Sequence, residues 1–245
     1  LVSSMPAKEK REAMEKAANG EADVIVGTNA VMQKKVVYKN LGLVITDEQH
    51  RFGVEQRNAL SEKGESPHKL VMSATPIPRT LALMMYGELE LSVIRELPSG
   101  RQPVETFAVT GKLRNRAFSF MKKEIDAGHQ AYIICPLIEE GEVASDKKSV
   151  MEYTDMLKNI FPDMRIEALH GRMAAKSKDD IMTRYKNGEV DVLVSTTVVE
   201  VGVDVPNATV MIIEDAEKFG MSQLHQLRGR VGRGKAKSYC ILVAN

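Results

Sequence analysis

Two stretches of the sequence align with each other without a gap and decide the fold class. Residues 5–31 read MPAKEKREAMEKAANGEADVIVGTNAV, and residues 173–199 read MAAKSKDDIMTRYKNGEVDVLVSTTVV. Thirteen of the 27 aligned residues are identical. Each copy has the pattern of a charged amphipathic helix that ends at Asn-Gly, then a turn, then a short aliphatic strand that ends at Thr28 or Thr196. Many α/β units share this pattern by convergence, but identity at this density favours an internal duplication. The sequence therefore predicts two related α/β lobes.

Short aliphatic runs alternate with helical stretches along the rest of the chain. The runs are LGLVIT (41–46), KLVMSA (69–74), VETFAV (104–109), AYIICP (131–136), IEALH (166–170), DVLVST (191–196), VMII (210–213) and SYCILV (238–243). Nearly continuous apolar strands are typical of parallel sheets that are covered on both faces. LPSGRQP (97–103) is the one Pro-, Gly- and Ser-rich break between the two series. We therefore predict a first lobe at residues 1–98 and a second at residues 99–245.

Composition narrows the classes of protein that fit. The formal net charge of +1 gives no overall basic surface, so any nucleic-acid binding must come from local patches. Cys135 and Cys240 lie far apart with no second ligand at zinc spacing, which argues against a disulfide framework or a zinc site and favours a reducing compartment. No apolar run approaches the roughly 20 residues that span a bilayer, and no signal-peptide pattern begins the sequence. We expect a soluble, cytoplasmic protein without a membrane partner.

Asp47 and Glu48 come directly after the first aliphatic run. In open parallel sheets, ligands bind beyond the carboxyl ends of the strands, so polar residues at these ends are candidates for function. One carboxylate there can hold a magnesium ion, and its neighbour can orient or deprotonate a water molecule. An ordinary solvated turn is the alternative, since acidic residues are common in turns.

Ser73, Ala74 and Thr75 repeat this arrangement about 25 residues further along the chain. By itself Ser-Ala-Thr is a good strand exit and helix start. Its place after the acidic pair, on an expected neighbouring strand, makes it a candidate for function.

A basic cluster lies near the C-terminus, within HQLRGRVGRGKAK (225–237). It contains Arg228, Arg230, Arg233, Lys235 and Lys237. Arg230 and Arg233 are three residues apart, so on a helix both would project from one face. Guanidinium groups placed in this way can bind the terminal phosphate of a nucleotide. The alternative is a basic surface that contacts a nucleic-acid backbone.

The second copy of the repeat continues into STTVVEVGVDVPNA (195–208). Gly202 and Asp204 follow the predicted strand in a turn that Pro206 closes, and a plain Gly-Pro turn is the simpler interpretation. Thr28 occupies the place in the first copy that Thr196 occupies in the second. The two threonines therefore form a symmetry-related pair that could each donate to a phosphate of one strand.

These elements together resemble the superfamily 2 helicases, and within them the RecG family. The matching runs occur in helicase order: GTNAV (27–31) as motif Ib, DEQH (47–50) as motif II, SATPIPRTLA (73–82) as motif III, AYIICPLIEE (131–140) as motif IV, TTVVEVGVDVPNA (196–208) as motif V and QLHQLRGRVGRG (223–234) as motif VI. The run DEQHRFGVEQR (47–57) is specific. The transcription-repair coupling factor shares an acidic pair followed by RFGV and an ATPIPRT run, so it stays the close alternative.

The resemblance implies two RecA-like lobes and a role for each matching residue. Asp47 would engage Mg²⁺, Glu48 would activate the hydrolytic water, and Arg230 and Arg233 would approach the phosphates of ATP as arginine fingers. The remaining implied roles are nucleotide binding for Gly202, Asp204 and Gln226, coupling for His50, Ser73 and Thr75, and DNA-backbone contact for Thr28 and Thr196. The implied activity is an ATP- and Mg²⁺-dependent motor that regresses stalled forks and migrates Holliday junctions.

One motif of the family is missing from this sequence. No G-x-x-x-x-G-K-[ST] run occurs in it, although the family carries this P-loop, with a central strand, ahead of motif II. We therefore expect a motor segment whose first lobe is incomplete at its N-terminus, without the P-loop strand, the N-terminal wedge domain and the C-terminal hairpin of the family. Because the P-loop holds the β and γ phosphates, we expect the chain alone to lack DNA-stimulated ATPase activity. A non-catalytic module that binds DNA or a partner is the alternative class.

Overall fold

The chain divides into two compact units, Leu1–Pro76 and Ile77–Asn245. The structure, a computed structural model, describes residues 1–3, 5–47, 60, 62–73, 90–94, 96, 101–136, 145–196 and 204–245, with only the backbone for 145–149. The predictions for Glu48, His50, Thr75 and Gly202 lie outside the described residues. The lobe boundary after residue 98 stays a prediction, because most residues between 74 and 100 also lie outside them.

The first unit contains one long helix and a pair of parallel strands in its described part. The helix is α1 (Ala7–Asn19), and the strands are β1 (Leu43–Thr46) and β2 (His68–Val71). α1 ends as the Asn-Gly pair predicts, because Gly20 adopts a left-handed φ of 73° and its N–H bonds to the carbonyl of Lys16. A short 3₁₀ turn (Asn29–Met32) follows Thr28.

The strand that the repeat predicts before Thr28 does not form, so that part of the prediction is wrong. Residues 24–27 are neither helix nor strand, and the side chains of Val24 and Val26 are both 80% exposed. In the second unit the equivalent run is a fully buried strand with a neighbour on each side. A parallel strand exists only through hydrogen bonds to its neighbours. In the described part of the first unit, β1 and β2 pair with each other alone.

The second unit is built on one six-stranded parallel sheet with the strand order β3-β8-β7-β4-β6-β5. The strands are β3 (Val104–Thr110), β4 (Gln130–Ile134), β5 (Ile166–Leu169), β6 (Val192–Ser195), β7 (Ala208–Ile213) and β8 (Ser238–Ala244). All eight aliphatic runs of the sequence therefore form strands. The predicted class, α/β with two parallel sheets, is confirmed.

Helices cover both faces of this sheet, as the apolar strands require. α2 (Arg114–Asp126) and α3 (Ser145–Ile160) pack on one face, and α4 (Ala175–Lys186) and α5 (Met221–Arg228) pack on the other. Successive residues of β4 alternate between the two cores, with Ile133 in the first and Tyr132 and Ile134 in the second. Among the helices in the described ranges, none is long and apolar enough to cross a membrane.

Two isoleucines on strands test how unequally the two sheets are buried. Ile133 of β4 has no exposed surface, whereas Ile45 of β1 is 55% exposed. We expect Ile133→Ala to lower the free energy of unfolding by about 2–5 kcal/mol and Ile45→Ala by less than about 1 kcal/mol. Urea unfolding followed by far-UV circular dichroism measures both. Equal losses for the two variants would contradict the described burial.

Candidate functional site

Asp47 and Ser73 lie at the same edge of the first unit's sheet. The parallel register pairs Thr46 with Val71, and the N–H of Met72 bonds to the carbonyl of Thr46 at 2.8 Å. Asp47 follows β1 directly, Ser73 follows β2 after Met72, and both are exposed. The expectation that the two motifs leave neighbouring strands is therefore confirmed for these residues. The arrangement places an exposed carboxylate and an exposed hydroxyl-bearing residue at one carboxyl edge.

Thr28 shares a cavity of about 800 Å³ with Asp47. Thr28 is exposed, and its side chain does not cap the 3₁₀ turn that follows it. Apolar side chains of Val24, Val26 and Leu43 line the same cavity. The first unit therefore brings a candidate DNA contact and a candidate magnesium ligand to one concave, half-apolar surface.

Thr196, the partner of Thr28 in the repeat, has the opposite environment. It follows the end of β6 and is 1% exposed, and its Oγ1 has no hydrogen-bond partner among the described residues. His170, which follows β5 beside it, is also buried. The two threonines are thus equivalent in sequence but not in exposure, and a direct DNA contact by Thr196 stays a prediction.

Arg230 and Arg233 do not lie on a helix, so the helical placement suggested by their spacing is wrong. α5 ends at Arg228, and the residues that follow form a turn, 229–234, which we call the arginine turn. Within it, Nε of Arg233 donates to the carbonyl of Gly229 at 3.0 Å. Nη1 of Arg233 also lies 3.5 Å from Oδ1 of Asp204, which brings two of the candidate residues together.

The arginine turn lies at the amino edge of the second sheet, not at the carboxyl edge. A side chain at Gly232 would meet Val104 and Ser238, the first residues of β3 and β8, and one at Gly234 would meet the carbonyl of Pro206, just before β7. Thr196 follows the end of β6, at the opposite edge. The rule that ligands lie beyond the carboxyl ends of strands therefore misplaces the arginines.

The guanidiniums of the arginine turn also act on the core of the second unit. Burial raises the pKa of Tyr132 on β4, and the nearby charges of Arg230 and Arg233 partly oppose that rise. The phenol is therefore neutral at physiological pH, and its ring packs in the apolar core of the second unit. The charges of Arg230 and Arg233 thus lie close enough to β4 to affect a buried tyrosine.

A buried carboxylate network that the sequence analysis missed lies at the carboxyl edge of β7. Glu214 is 4% exposed; Nε of Arg114 lies 3.0 Å from its Oε2, and the hydroxyl of Tyr153 donates to its Oε1 at 2.6 Å. Asn245 bonds to both Arg114 and Asp215. These bonds tie α2, α3 and β8 to the end of β7. An acidic residue directly after an aliphatic run was the signal, the same one that identified Asp47.

The lysines of the basic cluster are not equivalent. Nζ of Lys237 lies 2.6 Å from Oε1 of Glu105, and it is 5.8 Å from the ring centre of Tyr239. The ion pair with Glu105 raises the pKa of Lys237. Lys235 is exposed. An anionic ligand would therefore compete with Glu105 for Lys237, but meet Lys235 directly.

Asp47 fits the way in which magnesium binds together with a nucleotide. Within the described residues, no group of three or more His, Cys, Asp or Glu side chains converges as a metal site. Magnesium that accompanies a nucleotide takes only one or two protein carboxylates and fills its other positions with water and phosphate oxygens. A single exposed carboxylate at a strand end is sufficient for that mode.

Two family models match the chain in sequence order. The DEAD/DEAH box helicase model covers residues 1–84, and the helicase conserved C-terminal domain model covers residues 116–235. The two models fall on the first and the second parallel sheet. This order is that of a two-lobed superfamily 2 helicase motor.

Curated relatives narrow the family further. The chain is 51% identical over 246 residues to the ATP-dependent DNA helicase RecG of Bacillus subtilis and 49% identical over 243 residues to that of Thermotoga maritima. These matches cover 100% and 99% of the chain but only 36% and 31% of the relatives. The chain belongs to the RecG family, and it spans about a third of the length of these relatives.

Solved structures agree with this fold. The structure of RecG bound to a three-way DNA junction matches the whole chain at 45% identity with a TM-score of 0.72, over 31% of that chain. Helicase Lhr of Mycobacterium smegmatis, bound to single-stranded DNA and AMP-PNP, matches at 15% identity with a TM-score of 0.66, over 34% of that chain. The second likeness supports the fold alone.

The two cysteines give a test of the burial at the second sheet. Burial, together with smaller effects of the Glu214 and Asp215 charges, raises the pKa of the Cys135 thiol to about 12. Burial also raises the pKa of the Cys240 thiol to about 12. Because only the thiolate reacts, a raised pKa makes both thiols far less reactive at pH 8 than an exposed cysteine. We expect no reaction with Ellman's reagent within minutes in the native protein and two thiols per chain in guanidinium chloride. Cys135→Ala and Cys240→Ala identify any thiol that reacts early, and rapid native labelling would contradict the described burial.

Proposed function

We propose that this chain is part of an ATP-dependent motor that moves along double-stranded DNA and remodels branched DNA, at stalled forks and Holliday junctions. Membership of the RecG family supports this function. The single observation that carries it is the pair of parallel-sheet units, one with Asp47 exposed at a strand end and the other with Arg233 held beside Asp204. Carboxylates for a metal-bound nucleotide and guanidiniums for its phosphates are the two groups that phosphoryl transfer requires.

In this proposal the chain contributes most of the residues that act on ATP. Bound Mg²⁺ would offset the negative charge of the phosphates. Asp47 would bind that ion, and Glu48 would orient and deprotonate the attacking water. Arg230 and Arg233 would stabilise the charge that develops on the transferred phosphoryl group. Gly202, Asp204 and Gln226 would lie near the nucleotide.

The DNA contacts belong to a second set of residues. Thr28 would donate to a backbone phosphate from the exposed surface beside Asp47, and Thr196 would act at the end of β6. His50, Ser73 and Thr75 would link the state of the nucleotide to the grip on DNA. Ser73 follows the strand that neighbours β1, so a shift at Asp47 reaches it across one ladder of hydrogen bonds. Phosphate contacts of this kind are independent of sequence, as a motor requires.

Two elements of the family would be supplied by sequence beyond the matched region. The matched region is 36% of the Bacillus subtilis relative, and the P-loop and the wedge domain that reads branched DNA belong to the remainder of such proteins. The relative solved with a three-way junction supports branched DNA as the partner. A cytoplasmic location completes the proposal, and the two free cysteines support it.

A DNA-binding module without catalysis is the second candidate function. The basic cluster supports it, since no acidic residue follows Lys218 in the sequence. The two candidates differ in whether a P-loop precedes this region in the gene. The coupling-factor alternative has less support, because the curated relatives described above are RecG proteins.

ATP hydrolysis tests the motor directly. We expect the isolated chain to show no Mg²⁺-dependent, DNA-stimulated ATP hydrolysis, because its sequence has no P-loop to supply the backbone amides and the lysine that bind the phosphates of ATP. The longer gene product should hydrolyse ATP, and Glu48→Gln should lower its kcat by about 10²–10⁴-fold, the usual effect of removing a general base. A coupled phosphate-release assay measures both. Glu62→Gln, at an exposed acidic residue of the same unit, is the matched control. Robust hydrolysis by the isolated chain that Glu48→Gln abolishes would refute the first expectation.

Salt dependence tests the basic cluster. We expect Lys235→Ala to lower the slope of log K against log salt by about 0.9 on duplex DNA, the effect of one lost phosphate contact. Lys237→Ala should change the slope less, because Glu105 already neutralises that lysine. Fluorescence anisotropy with a labelled duplex between about 50 and 200 mM salt gives both slopes. Identical slopes for the wild type and both variants would exclude these two lysines from DNA binding.

A further inference from the structure

Arg101 makes a long-range contact with the arginine turn. Its half-buried side chain donates from Nε to the carbonyl of Gly232 at 2.9 Å, across 131 residues of sequence. Gly232 lies between Arg230 and Arg233. The contact therefore reaches the backbone of the turn at a point between its two cations.

Gly232 has a backbone conformation and a close packing contact that require glycine at this point of the turn. Its φ of 73° is in the left-handed region, which other residues rarely adopt, and a Cβ there would lie 2.6 Å from Cγ2 of Val104. The turn therefore packs closely against Val104, the first residue of β3, and the carbonyl of Gln102 lies 3.7 Å from the same Cβ position. Val104 pairs in register with Ser238, and the Lys237–Glu105 ion pair spans the same two strands. The surface that carries Arg101 is itself anchored in the sheet.

The other side of the turn is held by a separate group of residues. Arg233 reaches Asp204, and the backbone of Gly234 approaches the carbonyl of Pro206 too closely to leave room for a side chain. Asp204 and Pro206 precede β7, whereas Arg101 and Val104 lie at the start of β3. The arginine turn is therefore clamped between two strand entries, and Arg101 supplies the side-chain hydrogen bond from the β3 entry.

We propose that Arg101 is a positioning residue that sets the conformation of the arginine turn, and with it the placement of Arg230 and Arg233. The proposal rests on the proposed function, in which these two arginines act on ATP. Arg101 acts through the Gly232 carbonyl and does not touch the nucleotide. A misplacement of about 1 Å in a catalytic group costs about 10²-fold in rate. One hydrogen bond that fixes the turn is therefore enough to affect catalysis.

Arg101 also lies in LPSGRQP, the stretch that the sequence predicts as the junction between the lobes. The described part of that stretch, 101–103, leads directly into β3. Through the hydrogen bond of Arg101 to Gly232, this predicted junction is connected directly to the arginine turn.

Amide hydrogen exchange on the chain tests the positioning role without any activity. We expect Arg101→Ala to speed exchange in residues 229–234 by about 10-fold, the effect of one lost hydrogen bond, with the exchange of β4 and α2 unchanged. Arg101→Lys, which keeps a cation and a donor, should recover part of the protection. Arg116→Ala, at an exposed arginine of α2, is the matched control and should leave the turn unchanged. Unaltered protection of the turn in Arg101→Ala would overturn the proposal.

Steady-state kinetics of the longer gene product test the consequence. We expect Arg101→Ala to lower kcat about 10–100-fold with less than about a 3-fold change in KM for ATP and with unchanged DNA affinity in the absence of nucleotide, and Arg101→Lys to recover part of kcat. A purely structural role would lower the melting temperature and change kcat, KM and DNA affinity together. If Arg101→Ala loosens the turn but leaves kcat normal, and Glu48→Gln still abolishes hydrolysis, the positioning role is overturned and the proposed function stands. Normal hydrolysis in Glu48→Gln would instead refute the proposed function.

Discussion

Hydrogen bonding between parallel strands is the constraint on which the rest of this molecule depends. In the second unit β4 lies at the centre of the ladder, with β7 on one side and β6 on the other, and all five of its residues are buried. Its side chains alternate between two apolar cores, so the helices on both faces are oriented by the same strand. Among the described candidate residues of this unit, Thr196 follows a strand exit and Asp204 and the arginine turn lie at strand entries, whereas Gln226 lies on α5.

The ladder separates two kinds of chemistry by placing them at opposite edges. Strand exits carry Thr196 and the Glu214 network, and strand entries carry Asp204 and the arginine turn. Because the strands are parallel, an entry and an exit of one strand are separated by its full length. The separation therefore places the two groups of candidate residues at opposite ends of the same parallel ladder.

Charged side chains hold neighbouring segments together at both edges of the second sheet, through Glu214 at the carboxyl edge and Arg101 at the amino edge. Arg114 and Tyr153 both bond to the buried carboxylate of Glu214. Removing one partner of a buried pair leaves an uncompensated charge, so these bonds hold α2 and α3 against the end of β7. At the other edge, Arg101 and Asp204 hold the arginine turn from two sides. Charged side chains thus add polar contacts at both edges of the sheet, and in the arginine turn they act together with Val231, which is buried in the core.

The sequence by itself determined the strands and the class of the sheets. Aliphatic runs favour extended chain, so all eight strands were predictable even though β2 and β3 contain no buried residue. The helix end at Gly20 and the strand-end positions of Asp47 and Ser73 were predictable too. Tertiary structure decided the rest. The run before Thr28 resembles β6 in sequence but not in structure, because a strand needs partners that its own residues cannot supply. Likewise, the spacing of Arg230 and Arg233 suggests a helix, but close approach to Val104 and Pro206 imposes a turn. Those contacts join residues far apart in the chain, and no local pattern encodes which distant backbone will lie against a glycine.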